Sequence, residues 1–312
     1  TGRGGLGIIY TWAAGNGSPI DNSNYDGQAN YRGVMAIGAV NDHGVKSSYS
    51  ERGANLWVSA PGGEFCSTHA ITTVDRTGNV GFNTAGTAGA SDYANQNYTK
   101  CMNGTSSATP IAAGVAALVL QANPNLGWRD VRVILAASAR KNDPTNVEWK
   151  TNSGGYHFNP NYGFGVVDAS AAVTLAKSYG ANLATEKTYS TSLATPALAI
   201  PDNVVSGVSN TITVSGSGIT KIEFVEITFS AADHTYSGDL KIVLTSPAGT
   251  PSILAETHLC ASNSCTAYSG WVFGSANFLG EAADGDWKLT VIDGAAGDTG
   301  TFQSWKLNFY GI

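Results

Sequence analysis

Long hydrophobic runs are missing from this 312-residue chain. Its most apolar stretch, around Ala112 to Leu120, falls far short of the ~20 residues a membrane span needs, so no membrane segment is expected. Charge is also sparse: 13% of residues are charged, and 17 Lys and Arg against 23 Asp and Glu leave a net charge of -6. That balance excludes a basic surface for nucleic acid, and its sign suits a site that attracts cationic substrates. Proline is scarce (10) beside glycine (38), which points to many turns and tight loops and not to disorder. There are only four cysteines, Cys66, Cys101, Cys260 and Cys265. Three pairings are possible. The local one, Cys66 with Cys101 and Cys260 with Cys265, is preferred because the two pairs fall in different halves of the chain, and it implies an oxidising compartment, secreted or periplasmic. With 42% hydrophobic residues over this length, two domains of ordinary size can each bury a core. The opening Thr1-Gly-Arg-Gly-Gly has no signal-peptide pattern and reads as a piece of something longer.

What is present is organised around Cys101-Met-Asn-Gly-Thr-Ser-Ser-Ala-Thr-Pro-Ile-Ala-Ala-Gly114 and the apolar run that follows it. Gly104 and Thr105 make a turn, Ser106 falls at the first turn of a helix to about Gln121, and Pro110 is tolerable only near such a start. Apolar on every face, that helix is expected to be the buried centre of a domain. A serine at its mouth has backbone N–H groups and the positive dipole end beside it, which favours negative charge developing on a substrate. The bland alternative is a Ser/Thr cap on a core helix. The pattern Gly104-Thr-Ser-x-Ala-x-Pro-x-x-Ala-Gly114 resembles, at every defining position, the nucleophile motif of subtilisin-like serine proteases. The resemblance implies that Ser106 is the nucleophile.

Upstream, Leu6 to Ala13 is a short apolar run that suits a buried parallel strand, delivering Asn16 at its carboxyl end, where α/β sheets place ligands. An Asn-Gly there is most often only a turn. Trp12-Ala-Ala-Gly-Asn-Gly17 is similar to the family segment whose asparagine donates to the oxyanion, which gives Asn16 that role and sets Ala14 and Gly15 beside the substrate. The loop Asp21-Asn-Ser-Asn-Tyr-Asp-Gly27, by itself a solvated loop or a hint of a cation site, sharpens the resemblance to the kexin and furin branch, together with Tyr49-Ser-Glu51. That branch implies that Asp26 lines the pocket for a basic side chain, and that Asp21 and Glu51 bind calcium. The chain departs from it by one residue fewer between Asn16 and Asp21, and by Tyr25 where furin has a cysteine.

Val34 to Val40 and Leu56 to Pro61 read as strands, 76–100 as a loop, and Trp128 to Ala139 as an amphipathic surface helix. Asn161 to Ala169 and a helix to about Lys177 look like the end of a subtilisin-like domain. The resemblance implies that residues 1–180 are the carboxyl-terminal part of an α/β subtilisin-like catalytic domain, a parallel sheet with helices on both faces and its amino-terminal part expected to be absent. A Thr/Ser/Ala-rich linker and lead-in strand follow at 181–200. Beyond it the period changes to two (Leu240, Ile242, Leu244; Trp287, Leu289, Val291; Trp305, Leu307, Phe309), which indicates an all-β sandwich over 201–312. His234 to Leu240 and Ser246 to Thr250 resemble the jelly-roll P domain of kexin-like convertases. His234 and Asp239 read as structural, because no third polar partner or nucleophile accompanies them.

Ser-His-Asp catalysis needs a general base, and none of His43, His69, His157, His234 and His258 lies in the His-Gly-Thr setting of the family. In subtilisins both partners precede the oxyanion asparagine. The expectation is a secreted, calcium-dependent endopeptidase cleaving after basic residues, whose upstream part carries Asp and His. Its partners would be basic peptide or protein substrates and possible propeptide or chaperone assistance. The alternative is an inactive fragment or binding scaffold of protease ancestry. Without its first strands the catalytic part is not expected to fold stably alone. Asn16-Gly-Ser and Asn103-Gly-Thr are glycosylation sequons at the proposed site, where a glycan would block substrate, which tilts the source toward bacteria.

Overall fold

A three-stranded parallel sheet forms first: β1 (Tyr10–Ala13), β2 (Val34–Val40) and β3 (Leu56–Pro61), in that order, with Tyr10 opposite Val34 and Ile37 opposite Val58. These positions belong to a computed structural model that describes residues 2–84, 92–260, 265 and 267–312. The central strand, Val-Met-Ala-Ile-Gly-Ala-Val, is buried along nearly its whole length, as a parallel strand covered on both faces requires. β4 (Ile71–Val74) and β5 (Tyr98–Met102) form an antiparallel pair, so the stretch expected as loop ends in a strand; 85–91 lies outside the described residues. α1 (Thr105–Ala122) and α2 (Trp128–Ser138) follow, then the short pair β6 (Lys150–Thr151) and β7 (His157–Phe158), and α3 (Ala169–Ser178).

Two of these elements differ from expectation. β1 is parallel to β2 as predicted, but it is not buried: Tyr10 is 54% and Trp12 39% exposed, because no described element covers the face they share, and no described strand pairs with its outer edge. α1 is not buried on every side either. Ala108, Ala112, Val115, Ala116 and Val119 pack into the core with Met35, Ile37 and Val58, while Gly114 and Ala117 face outward and Leu118 is 45% exposed. Among the described helices α1 alone is long and apolar enough to cross a membrane. Here it lies on the sheet as a core helix.

The second half is a β-sandwich. One sheet contains β10 (Val208–Val214), β15 (Gly285–Asp293), β12 (Leu240–Thr245) and β13 (Pro251–Ala255), in that order. The other contains β14 (Tyr268–Ser275), β11 (Ile222–Ala231), β17 (Ser304–Gly311) and β8 (Lys187–Ser190), and β9 (Leu198–Ile200) pairs with β16 (Gly300–Phe302). The two-residue period of the sequence is the burial pattern: Leu240, Ile242 and Leu244 of β12 and Trp305, Leu307 and Phe309 of β17 all point into one core with Trp287. β8 and β9 fall within 181–200, so the lead-in segment supplies two strands to the sandwich. His234 is buried inside it, with Nε2 3.2 Å from Asp293 Oδ2 and Nδ1 3.0 Å from the Tyr236 carbonyl.

The halves meet through apolar, polar and cationic contacts, with Phe224, Ala276 and Leu279 of the second half in the core of the first. Arg132 of α2 is buried, with its guanidinium 4.0 Å from the Trp57 ring centre and 5.7 Å from that of Phe224 of the sandwich, and burial, with Arg32 close by, lowers its pKa to about 9. Arg129 makes a bidentate pair with Glu223, and Arg32 pairs with Glu186.

Candidate functional site

The carboxyl ends of β1 and β3 and the start of α1 converge on one edge of the sheet, where open α/β sheets take their ligands. β1 ends at Ala13, and Ala14 is buried with its N–H on the Ile37 carbonyl. The chain then turns through Gly15, whose φ of +114° favours glycine and whose Cβ would lie 2.2 Å from Glu51 Oε1. Asn16 comes next, exposed, with its side-chain oxygen fixed: Oδ1 accepts from the Thr105 N–H (2.9 Å) and the Thr105 hydroxyl (3.0 Å). Its amide nitrogen is thereby left to donate elsewhere.

Gly104, at φ +98°, turns the chain into α1, and Ser106 occupies the first helical turn, exposed, where backbone N–H groups have no intrahelical acceptor. A Cβ on Gly104 would lie 3.4 Å from Asn16 Nδ2 and 3.6 Å from Ser106 N. Both donors therefore border the same small space. A cavity of about 620 Å³ opens beside them, lined by Asn16, Ser18, Pro19, Tyr49, Phe65 and Asn103 among others. The Ser106 hydroxyl makes no hydrogen bond to any described residue. His43 and His69 sit by Asp42, His157 packs on Trp149, His234 is inside the sandwich and His258 stacks on Tyr25.

Glu51 is buried beneath the Asn16 loop. Its N–H donates to the Gly15 carbonyl (3.1 Å), and its Oε1 accepts from the Gly17 N–H (2.8 Å). A Cβ on Gly17 would meet Glu51 Oε1 at 3.0 Å and Asp21 Oδ2 at 3.2 Å, so the two carboxylates flank one glycine. Burial first, and the charges of Asp21 and Asp26 besides, push the Glu51 pKa up to about 7. Concentrated oxygen donors with unfavourable mutual charge fit a hard cation. Among the described residues no third His, Cys, Asp or Glu closes this pair into a tight cluster. His258 with Cys260 and Cys265 does form one, but its sulfurs are joined in a disulfide.

Asp26 is exposed. Its Oδ1 accepts from the Gln28 N–H at 2.7 Å, and it is not among the residues lining the cavity beside Asn16. Its charge reaches Glu51 instead. Both local disulfides are present, Cys66–Cys101 tying β5 to the chain after β3, and Cys260–Cys265 in the sandwich.

Sequence reasoning left out three supports. Thr105 fixes Asn16. Tyr49 takes the Gly104 N–H on its hydroxyl (2.9 Å). Asn24, inside the acidic loop, reaches the sandwich: its Oδ1 accepts from the Gly274 N–H (2.7 Å) and its Nδ2 donates to the Gly274 carbonyl (3.0 Å). Thr105 and Tyr49 lie inside motifs that the sequence displays, but spacing alone cannot say which backbone group each hydroxyl finds. Nothing local in sequence marks Asn24.

Residues 1–165 match the subtilase family, and residues 222–309 match the proprotein convertase P-domain. A calcium-dependent protease of Trichormus variabilis is 37% identical over 97% of this chain and 44% of its own length. Human proprotein convertase subtilisin/kexin type 7 is 33% identical over 99% of this chain and 38% of its own. The crystal structure of a serine protease of Aeromonas sobria superposes with a TM-score of 0.89 at 29% identity, covering 98% of this chain and 65% of that one. The chain spans less than half the length of the curated relatives it matches. It belongs to the subtilase family, as a kexin-like member in which a β-sandwich of the P-domain kind follows the α/β part.

Proposed function

We propose that the protein to which this chain belongs is a secreted, calcium-dependent serine endopeptidase that cleaves after basic residues. The observation that carries this reading is the pair of donors, Asn16 Nδ2 and Ser106 N, bordering one space at the mouth of α1. Ser106 Oγ attacks the scissile carbonyl, its proton passing to a histidine supplied by the upstream part of the same protease, where an aspartate orients that histidine. The oxyanion forms between Asn16 Nδ2 and the Ser106 N–H, aided by the dipole of α1. Ala14 and Gly15 lie along the substrate. Asp26 draws the substrate's basic side chain, supported by the acidic field it shares with Asp21 and Glu51. Asp21 and Glu51 would hold calcium, which supplies fixed positive charge that relieves their repulsion beneath the Asn16 loop. The relative from Trichormus variabilis is named for calcium dependence.

The upstream part would dock on the edge of β1 that no described strand pairs, with Tyr10 and Trp12 exposed beside it, and on the outer face of α1 at Leu118. Two disulfides support an oxidising, extracytoplasmic location. The Aeromonas protease also crystallised with a chaperone, which supports chaperone or propeptide assistance here.

The test is fluorophosphonate labelling and peptide cleavage by the full-length protein. Label on Ser106, cleavage of Arg- and Lys-containing peptides and loss of both in Ser106→Ala are expected. The alternative is an inactive binding protein of protease ancestry. Full-length protein that takes no label would establish that reading.

A further inference from the structure

We propose that Tyr49 is a positioning residue that sets the separation between Asn16 and Ser106, acting through its hydroxyl on Gly104. The proposal rests on the protease reading. Tyr49 sits where three segments meet. Its hydroxyl accepts the Gly104 N–H at 2.9 Å, two residues before Ser106, and lies 2.8 and 2.7 Å from the Gly62 and Gly63 carbonyls of the turn after β3, to which it donates. Its own carbonyl accepts the Ser18 N–H at 3.2 Å, two residues after Asn16. One half-buried side chain and its backbone thus tie the nucleophile turn, the sheet-edge turn and the oxyanion loop together.

The hydroxyl is used fully, with its proton on the glycine turn and a lone pair on Gly104. Burial raises the Tyr49 pKa, so the proton stays in place at neutral pH and the phenol remains both donor and acceptor. Gly104 is a point of weakness without it, since its φ of +98° is held by no side chain of its own. Releasing its N–H lets Gly104 and the start of α1 shift, and Asn16, hydrogen-bonded through Oδ1 to Thr105 of the same turn, can follow only as far as its own loop after β1 allows. The oxyanion donors then lose their common focus. Ground-state substrate contacts along Ala14 and Gly15 do not pass through this hydroxyl, so the loss falls on the transition state.

The experiment compares full-length wild type, Tyr49→Phe, Ser47→Ala and Ser106→Ala on one peptide substrate. Ser47 donates to the Gly63 carbonyl at 2.7 Å and neighbours the Tyr49 hydroxyl, but makes no hydrogen bond to Gly104, and so separates a disturbance of the glycine turn from loss of the Gly104 contact. Expected for Tyr49→Phe is a kcat lower by about tenfold or more with KM within about twofold, since removal of an oxyanion donor outright costs about 10²–10³. A peptide boronate, which forms a tetrahedral adduct on the serine, should lose affinity in parallel, and the thermal midpoint should stay within that of Ser47→Ala, which keeps wild-type kcat. Tyr49→Phe with wild-type kcat beside an inactive Ser106→Ala would overturn the proposal and leave the protease reading intact. So would a kcat loss that Ser47→Ala shares, or one that follows a falling thermal midpoint. A Ser106→Ala variant that still cleaves would remove the protease reading, and the Tyr49 proposal with it.

Discussion

Thr105 holds Asn16 by its oxygen, through both the backbone N–H at 2.9 Å and the hydroxyl at 3.0 Å. Which end of an amide is anchored decides what its other end can do. Anchored by oxygen, Asn16 presents only a donor to the cleft.

In the full-length protein, Asn16→Ala should therefore lower kcat by about 10²–10³ with little change in KM, as loss of one oxyanion donor does elsewhere. Thr105→Val removes one of the two anchoring bonds and should cost less, about tenfold. Steady-state kinetics on one peptide substrate measures both, and a wild-type kcat in Thr105→Val beside a large loss in Asn16→Ala would contradict the anchoring role.

Removing calcium should lower thermal stability and activity together, because Glu51 is buried under the same loop that carries Asn16. Asp21→Asn should shift the calcium midpoint upward while leaving saturated kcat within about threefold, whereas a substitution that prevents binding gives the chelated protein at every calcium level. Calcium titrations followed by thermal melting distinguish these outcomes.

His157 offers a pH test outside the site. Burial, with Lys141 adding to it, holds its pKa below the ordinary 6.5. The unfolded chain then takes the proton first, so stability is fully present above pH 6.5 and declines as pH falls through the window below it. Histidine replaced by phenylalanine should flatten that part of the stability profile, measured by denaturant melts in small pH steps.

The Arg129–Glu223 pair joins α2 to β11 with both side chains 13% exposed. Glu223→Gln leaves the guanidinium short of a charged partner and should cost about 2 kcal/mol. Hydrogen exchange should show the change at the seam between the halves.

The sandwich was legible because β12, β15 and β17 obey one rule, apolar side chains at alternate positions, and the core of Trp287, Trp305 and Phe309 follows from it. That Ser106 opens α1 and Asn16 follows β1 was legible for another reason: each lies in a short local segment whose turn geometry is written in consecutive small residues. Asp26 shows the limit. The motif places it in a loop, but its carboxylate turns back to cap the Gln28 N–H, a contact that depends on the turn actually taken. The exposed Trp12 and Leu118 were misread as buried because hydrophobicity states what a residue would bury, and not whether a neighbour is there to bury it. The anchor of Asn24 was invisible since its partner, Gly274, lies far along the chain.

That anchor has a consequence for how such proteins can diversify. The loop bearing Asp21 and Asp26 is stitched to Leu254, Val272 and Gly274 by Asn24 and Asn30, and Trp271 donates its ring N–H back to the Asn24 carbonyl. A foreign sandwich grafted onto this α/β half would have to bring matching carbonyls at those positions. Recombination between relatives should therefore succeed only where the crossover carries the 22–30 loop along with β13 and β14.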